Sequence, residues 1–165
     1  MPLSASVYAA VSVRLSGAPD LGRTQYELDV QAKLLDLAAG TGPGQVSKAF
    51  IDTRTLALST GEDLDLAGAL LDPLGAAAVF AVVKVIYFKA SAANVNNVVV
   101  GNAASAGFIG PFGAAAHTVA IPPGGVLMLV HPGAGWTVTA TTADLLHVLN
   151  GGAGTSVTYD VILLG

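Results

Sequence analysis

Apolar and polar positions alternate from Val7 to Leu15, with Val7, Ala9, Val11, Val13 and Leu15 sharing one parity. That is the period of a half-buried strand, and it stops at the turn signal Gly17-Ala18-Pro19-Asp20. Tyr26, Leu28, Val30, Ala32 and Leu34 then alternate with Glu27, Asp29, Gln31 and Lys33, which predicts a second strand. A helical alternative is confined to Leu34-Leu35-Asp36-Leu37. Gly40-Thr41-Gly42-Pro43-Gly44 is a loop, because Gly and Pro at that density hold neither regular structure.

Val46–Leu58 reads as an extended segment, and Glu62–Leu66 as a short strand with Leu64 and Leu66 on one face and Asp63 and Asp65 on the wet one. Ala67–Ala78 carries the turn Leu71–Gly75 and room for a single helical turn. Val79–Ala90 is rich in β-branched and aromatic residues on both faces, as a central core strand is, and only Lys84 interrupts it. Further strands are expected at 94–100, 118–121, 126–131, 136–141, 145–149 and 157–164, separated by Gly/Pro turns. Such spacing describes a sandwich or barrel, and about nine strands in one domain point to a two-sheet jelly roll. The chain is thus expected to be all-β and a single domain over residues 1–165. Residues 1–45 would form N-terminal strands or an extended arm, and residues 46–165 the jelly-roll core.

Composition narrows the function classes. Only 11% of the 165 residues are charged against 53% hydrophobic, and the net charge is −4. An average soluble domain carries about 25% charged residues. A nucleic-acid binder would show a basic stripe, whereas seven Lys and Arg are scattered singly here. The mean hydropathy of +0.66 invites a membrane reading, but no uninterrupted apolar stretch of about 20 residues exists. Met1-Pro2-Leu3-Ser4 opens no secretory signal, so synthesis in a cytoplasm is expected. With no cysteine, disulfides and thiolate sites are excluded. Residues 1–89 hold every charged side chain except Asp144 and Asp160. A surface so short of charge expects to be covered by copies of itself or by a partner.

Chemistry-bearing patterns are sparse. No serine stands in a Gly-x-Ser-x-Gly elbow, and the Gly40–Gly44 loop lacks both a Gly-Lys pair and a following helix to meet phosphate. His117, His131 and His147 have no paired spacing; neighbouring strands would have to gather them for a cupin-like zinc site, against the reading as half-buried structural histidines. Glu62, Asp63, Asp65 and Asp72 offer oxygens for Ca²⁺ but lack a Ca²⁺-loop pattern, so a solvated strand edge is preferred. Trp136 is either a core anchor or, with Asp63 and Asp65, part of a sugar-binding face of a tail or fibre module. Phe108, Ile109, Pro111 and Phe112 sit among Gly and Pro in a loop. Loop apolars are tucked under the sandwich or presented to a partner, and a subunit contact is the preferred reading.

Several phrases form a familiar series. They are Asp52-Thr53-Arg54-Thr55-Leu56, Glu62 to Gly68, Val83 to Ala90 and Asn94 to Gly101, followed by Phe108 to Gly113, Ile121 to Gly125, Pro132 to Val138 and Gly154 to Asp160. Together they resemble small virion structural proteins of tailed bacteriophages, of the kind that decorate or cement the capsid. The resemblance covers about residues 50–165; residues 1–49 match less well. It implies a non-enzymatic jelly-roll protein without cofactor or metal, acting as a homotrimer on the exterior of an icosahedral head and clamping neighbouring major capsid proteins. On that reading the charged N-terminal half would meet capsid or solvent, and the neutral C-terminal half would form the trimer.

Overall fold

The computed structural model describes residues 3–17, 24–68 and 70–165. Thirteen strands and no helix occur among them. The Gly17–Asp20 turn lies outside the described residues beyond Gly17, and no helical turn forms among the described residues of 67–78.

Strands β1 (Ala5–Gly17) and β2 (Thr24–Ala39) pair antiparallel along their whole length, and β3 (Gln45–Val46) joins the end of β2 in parallel. The helical alternative at Leu34–Leu37 is therefore not taken. The pairing slips once, with Val7 opposite Leu35 and Tyr8 opposite Lys33, so Leu34 is the extra residue of a β-bulge.

Two four-stranded antiparallel sheets make up the body. The first runs β10 (Val126–Val130), β7 (Val85–Ala90), β13 (Val157–Leu164), β4 (Ala49–Leu56). The second runs β5 (Gly61–Asp65), β12 (Leu145–Asn150), β8 (Val98–Gly101), β9 (Thr118–Ile121). Alternate residues of both face one apolar core, including Phe50, Ile86, Phe88, Tyr159, Val161 and Leu163 from the first and Leu64, Val98, Val100, Leu146 and Val148 from the second. The fold is thus an all-β sandwich.

The expected long strand Val79–Ala90 is broken at Lys84. β6 (Val82–Val83) pairs with β11 (Trp136–Thr137), whereas β7 belongs to the first sheet. The strand changes partners at that residue, which still donates its N–H to Leu164 O and accepts from His131 N. The strands expected at 94–100 and 136–141 are shorter, because Asn94 and Thr139 spend backbone groups on turns with Ser91 and with Thr142 and Ala143.

Charged and neutral halves of the sequence do not become two surfaces. β4, β5 and β7 of the charged half pair with β13, β12 and β10 of the neutral half. In the sandwich the two halves thus share both sheets, and β1, β2 and β3 pair only within the charged half.

Candidate functional site

The β1–β2 ribbon is the feature of this molecule that its own core does not explain. Alternation puts every second residue on one face, and the register sorts them cleanly. Ala9 faces Ala32, Val11 faces Val30, Val13 faces Leu28 and Leu15 faces Tyr26, a strip without a charged side chain. On the opposite face Tyr8 stands by Lys33, Ser12 by Asp29 and Arg14 by Glu27. Charge there is largely balanced within the ribbon: Arg14 pairs with Glu27 at 3.0 Å, and Lys33 with Asp36. Lys33, together with a hydrogen bond from Ser6, holds the Asp36 carboxyl below the ordinary carboxylate range.

The strip is continuous with a buried foot. The Leu34 bulge shifts parity so that Leu35 and Leu37 fall on the same side as Val7 and Ala5. Val7 and Leu37 are buried against Val46, Ala49, Val85 and Leu164, on the side of the first sheet turned away from the main core. Past the foot the same face is open: Val11 is 60% exposed, Leu15 67% and Tyr26 56%. Two-stranded ribbons are marginal in water unless an apolar face is covered, and isolated strand edges of this length invite pairing.

Lys84 fixes the ribbon's root. It is 1% exposed, and its Nζ donates to Gly42 O at 2.7 Å and to Gln45 O. The Gly40–Gly44 loop is thus a carbonyl cradle for an ammonium, the reverse of a phosphate loop, whose N–H groups point inward. Gln45 Oε1 accepts from Gly42 N and tightens the same turn.

The residues singled out in the sequence lie elsewhere. Phe108 is 2% exposed in the main core, and its N–H is bonded to Leu145 O; Phe112 packs against that core and Pro111 is half-buried. Of the four residues singled out in the expected subunit-contact loop, Ile109 is the exposed one. The loop is mainly tucked under the sandwich, because its bonds to the start of β12 draw Phe108 inward. Trp136 packs against the main core, with its ring edge-on to His131 at 5.3 Å.

His117 Nδ1 lies 2.7 Å from Phe112 O, and His131 Nδ1 accepts from the N–H groups of Gly133 and Gly135. His147 stands opposite Asp63 at 2.6 Å. Each histidine has its own local partner, and no group of three potential metal ligands occurs among the described residues.

Asp63, Asp65 and Asp72 do line one open cleft of about 520 Å³ with Asp52 and Arg54. Each has other work: Asp65 accepts from Ala67 N, and Asp72 from Leu74 N and Ala76 N. Glu62 turns away to tie the two sheets together, accepting from Arg54 and, at 2.7 Å, from the Tyr159 hydroxyl. Burial and the bond to Glu62 push the Tyr159 phenol well above its ordinary range, and the same carboxylate raises the Arg54 guanidinium further.

No family model, curated protein or solved structure matches the chain.

Proposed function

We propose that this chain is a non-enzymatic virion structural protein that decorates and cements an icosahedral tailed-phage capsid from outside, as a homotrimer contacting the major capsid protein. The observation that carries this reading is the protruding ribbon, whose apolar strip is built for a neighbour and is left uncovered by the chain's own core. The likeness of residues 50–165 to decoration proteins supports it.

The winding of the sandwich also supports the jelly-roll architecture that the reading entails. Of the eight strands in the two large sheets, the first pairs with the last (β4 with β13), then β5 with β12, β7 with β10 and β8 with β9. That nesting is what a long antiparallel hairpin produces when it is rolled into two sheets, the double-Greek-key plan shared by capsid and lectin domains. Each trimer would tie capsid subunits through contacts on the order of 1,200–2,000 Å², and repetition over the shell multiplies modest single affinities.

Denaturing gels of purified particles test the proposal. A 16.4 kDa band in fixed stoichiometry with the major capsid protein is expected, together with rebinding of the purified chain to stripped particles. Virions that lack the band would overturn it.

A further inference from the structure

We propose that Asn150-Gly151 is a self-modification site held shut by the fold. It converts to aspartate or isoaspartate in copies whose end of the sandwich has opened, and the conversion keeps that end from closing again. The inference goes beyond the decoration reading and does not depend on it.

Asn150 is the asparagine that precedes a glycine; Asn94, Asn96, Asn97 and Asn102 precede Val, Asn, Val and Ala. Without a Cβ, glycine leaves its backbone nitrogen free to approach the preceding side chain. Gly151 N attacks Asn150 Cγ: the N–Cγ bond forms, the Cγ–Nδ2 bond breaks, and Nδ2 departs as ammonia with the proton that Gly151 N gives up. A five-membered imide results. Water then adds to one of its two carbonyls and reopens the ring, leaving aspartate by one route and isoaspartate by the other.

In the folded chain every group this reaction needs is engaged. Asn150 ends β12 with its side chain turned into the sandwich and is 2% exposed. Its Nδ2, the leaving group, donates to Ala57 O at 3.0 Å and to Thr155 O at 2.8 Å. Its Oδ1 accepts from Asn96 Nδ2 at 3.0 Å and from Gly152 N at 3.3 Å. Both amide donors and both acceptor lone pairs are thereby used. The nucleophile is tied as well, since Gly151 N donates to Asn97 O at 2.9 Å, and Asn150 N donates to Thr60 O at 2.9 Å. Three connections meet on this one residue: the β4–β5 turn, the segment leading into β8, and the loop after β12. Attack requires the side chain and Gly151 N to leave their partners together, so it waits for local opening. Gly151 is exposed, which lets water reach the opened site.

The product does not fit the place it came from. A carboxylate has no N–H, so Ala57 O and Thr155 O would face oxygens where they had donors, and unpaired buried polar groups are costly. Isoaspartate also adds a carbon to the main chain and moves Gly151 N away from Asn97 O. The reaction therefore leaves a permanent mark on a copy that has opened.

Gly151 N is both the nucleophile and an exchange probe of its own opening. The purified full-length chain is held at mildly alkaline pH in buffer and across a urea series. Peptide mapping by mass spectrometry follows conversion at 150, and hydrogen exchange follows the Gly151 amide. The unfolded chain is expected to convert Asn150 well ahead of Asn94 and Asn97. In the folded chain conversion should be slower by a factor at least as large as the exchange protection of the Gly151 amide, and should rise with urea as that protection falls. Asn150→Asp, which supplies one product directly, should lower the urea midpoint or fail to fold. An unfolded chain that keeps Asn150 intact, or a folded chain that converts it at the unfolded rate, would overturn the site. An Asn150→Asp chain as stable as the wild type would overturn the permanence of the mark.

Discussion

Replacing Lys84 by methionine keeps most of the side-chain volume and removes the ammonium that holds Gly42 and Gln45. Two half-buried carbonyls then lose a charged donor. Hydrogen bonds to charged groups contribute about 1.5–3 kcal/mol each, and an orphaned buried acceptor costs about 1–3 kcal/mol. Against this stands relief from burying the ammonium, an effective penalty of several kcal/mol that the wild-type chain already bears. Because breaking a buried polar arrangement from one side leaves the other side unpaired, the net should be a loss of about 2–4 kcal/mol, roughly a 30- to 1,000-fold change in an equilibrium constant. Its location is specific. The amides of Ala38, Gly40 and Gln45, which bond to Gly44 O, Val46 O and Gly42 O, should lose hydrogen-exchange protection by that factor. Those of the β13 ladder should lose less. Urea unfolding of wild type and Lys84→Met, read with exchange mass spectrometry, makes the measurement. An unchanged midpoint with full protection of the loop would refute the assignment of Lys84 as the ribbon's anchor.

Other outcomes follow from the same geometry. Deleting Leu34 removes the extra residue and leaves Ala32, Leu35 and Leu37 on one face in regular alternation, so Val7 and Leu37, worth about 1.5–3 kcal/mol each on full burial, should stay seated and the ribbon should resist proteolysis as in the wild type; rapid cleavage of the ribbon would count against the bulge. Phe108→Ala should cost about 3–5 kcal/mol in thermal unfolding, as a core aromatic does, and leave the oligomeric mass unchanged while the chain is folded. In the unfolded chain Tyr159 ionises near pH 10, whereas in the folded chain burial and Glu62 keep it protonated to higher pH. The unfolded state therefore binds fewer protons above pH 10, stability falls as pH rises there, and Tyr159→Phe should flatten that alkaline decline in urea midpoints.

Strand periodicity is legible in the sequence wherever one face is buried and the other wet: 118–121 and 157–164 carry their whole pattern within a ladder. It fails where an apolar run serves two ladders, as at Lys84, since residue type does not report a change of partner. The ribbon strands were readable, and their function was not. Alternation at Val7–Leu15 looks the same whether the apolar side meets a core or open solvent. The adjacent pair Leu34-Leu35, which suggested helix, was the local signal of a bulge. Charge asymmetry along the sequence does not divide the sandwich, because β4, β5 and β7 pair with strands of the neutral half, and only the ribbon stays within the charged half. The Phe108–Phe112 loop drew attention as an apolar cluster, but the backbone bond from Phe108 to Leu145 that tucks it in has no sequence signature.

The bulge at Leu34 gives the ribbon the properties of a ruler with fixed graduations. Inserting two residues in each strand beyond it would lengthen the reach by about 7 Å at 3.4 Å per residue, with the strip still facing as before and the sandwich untouched. A single inserted residue in β2 would turn part of the strip over and present Asp29 and Lys33 in its place. The ribbon's reach could therefore be adjusted in steps of two residues, and the intermediate lengths would be forbidden by chemistry rather than by size.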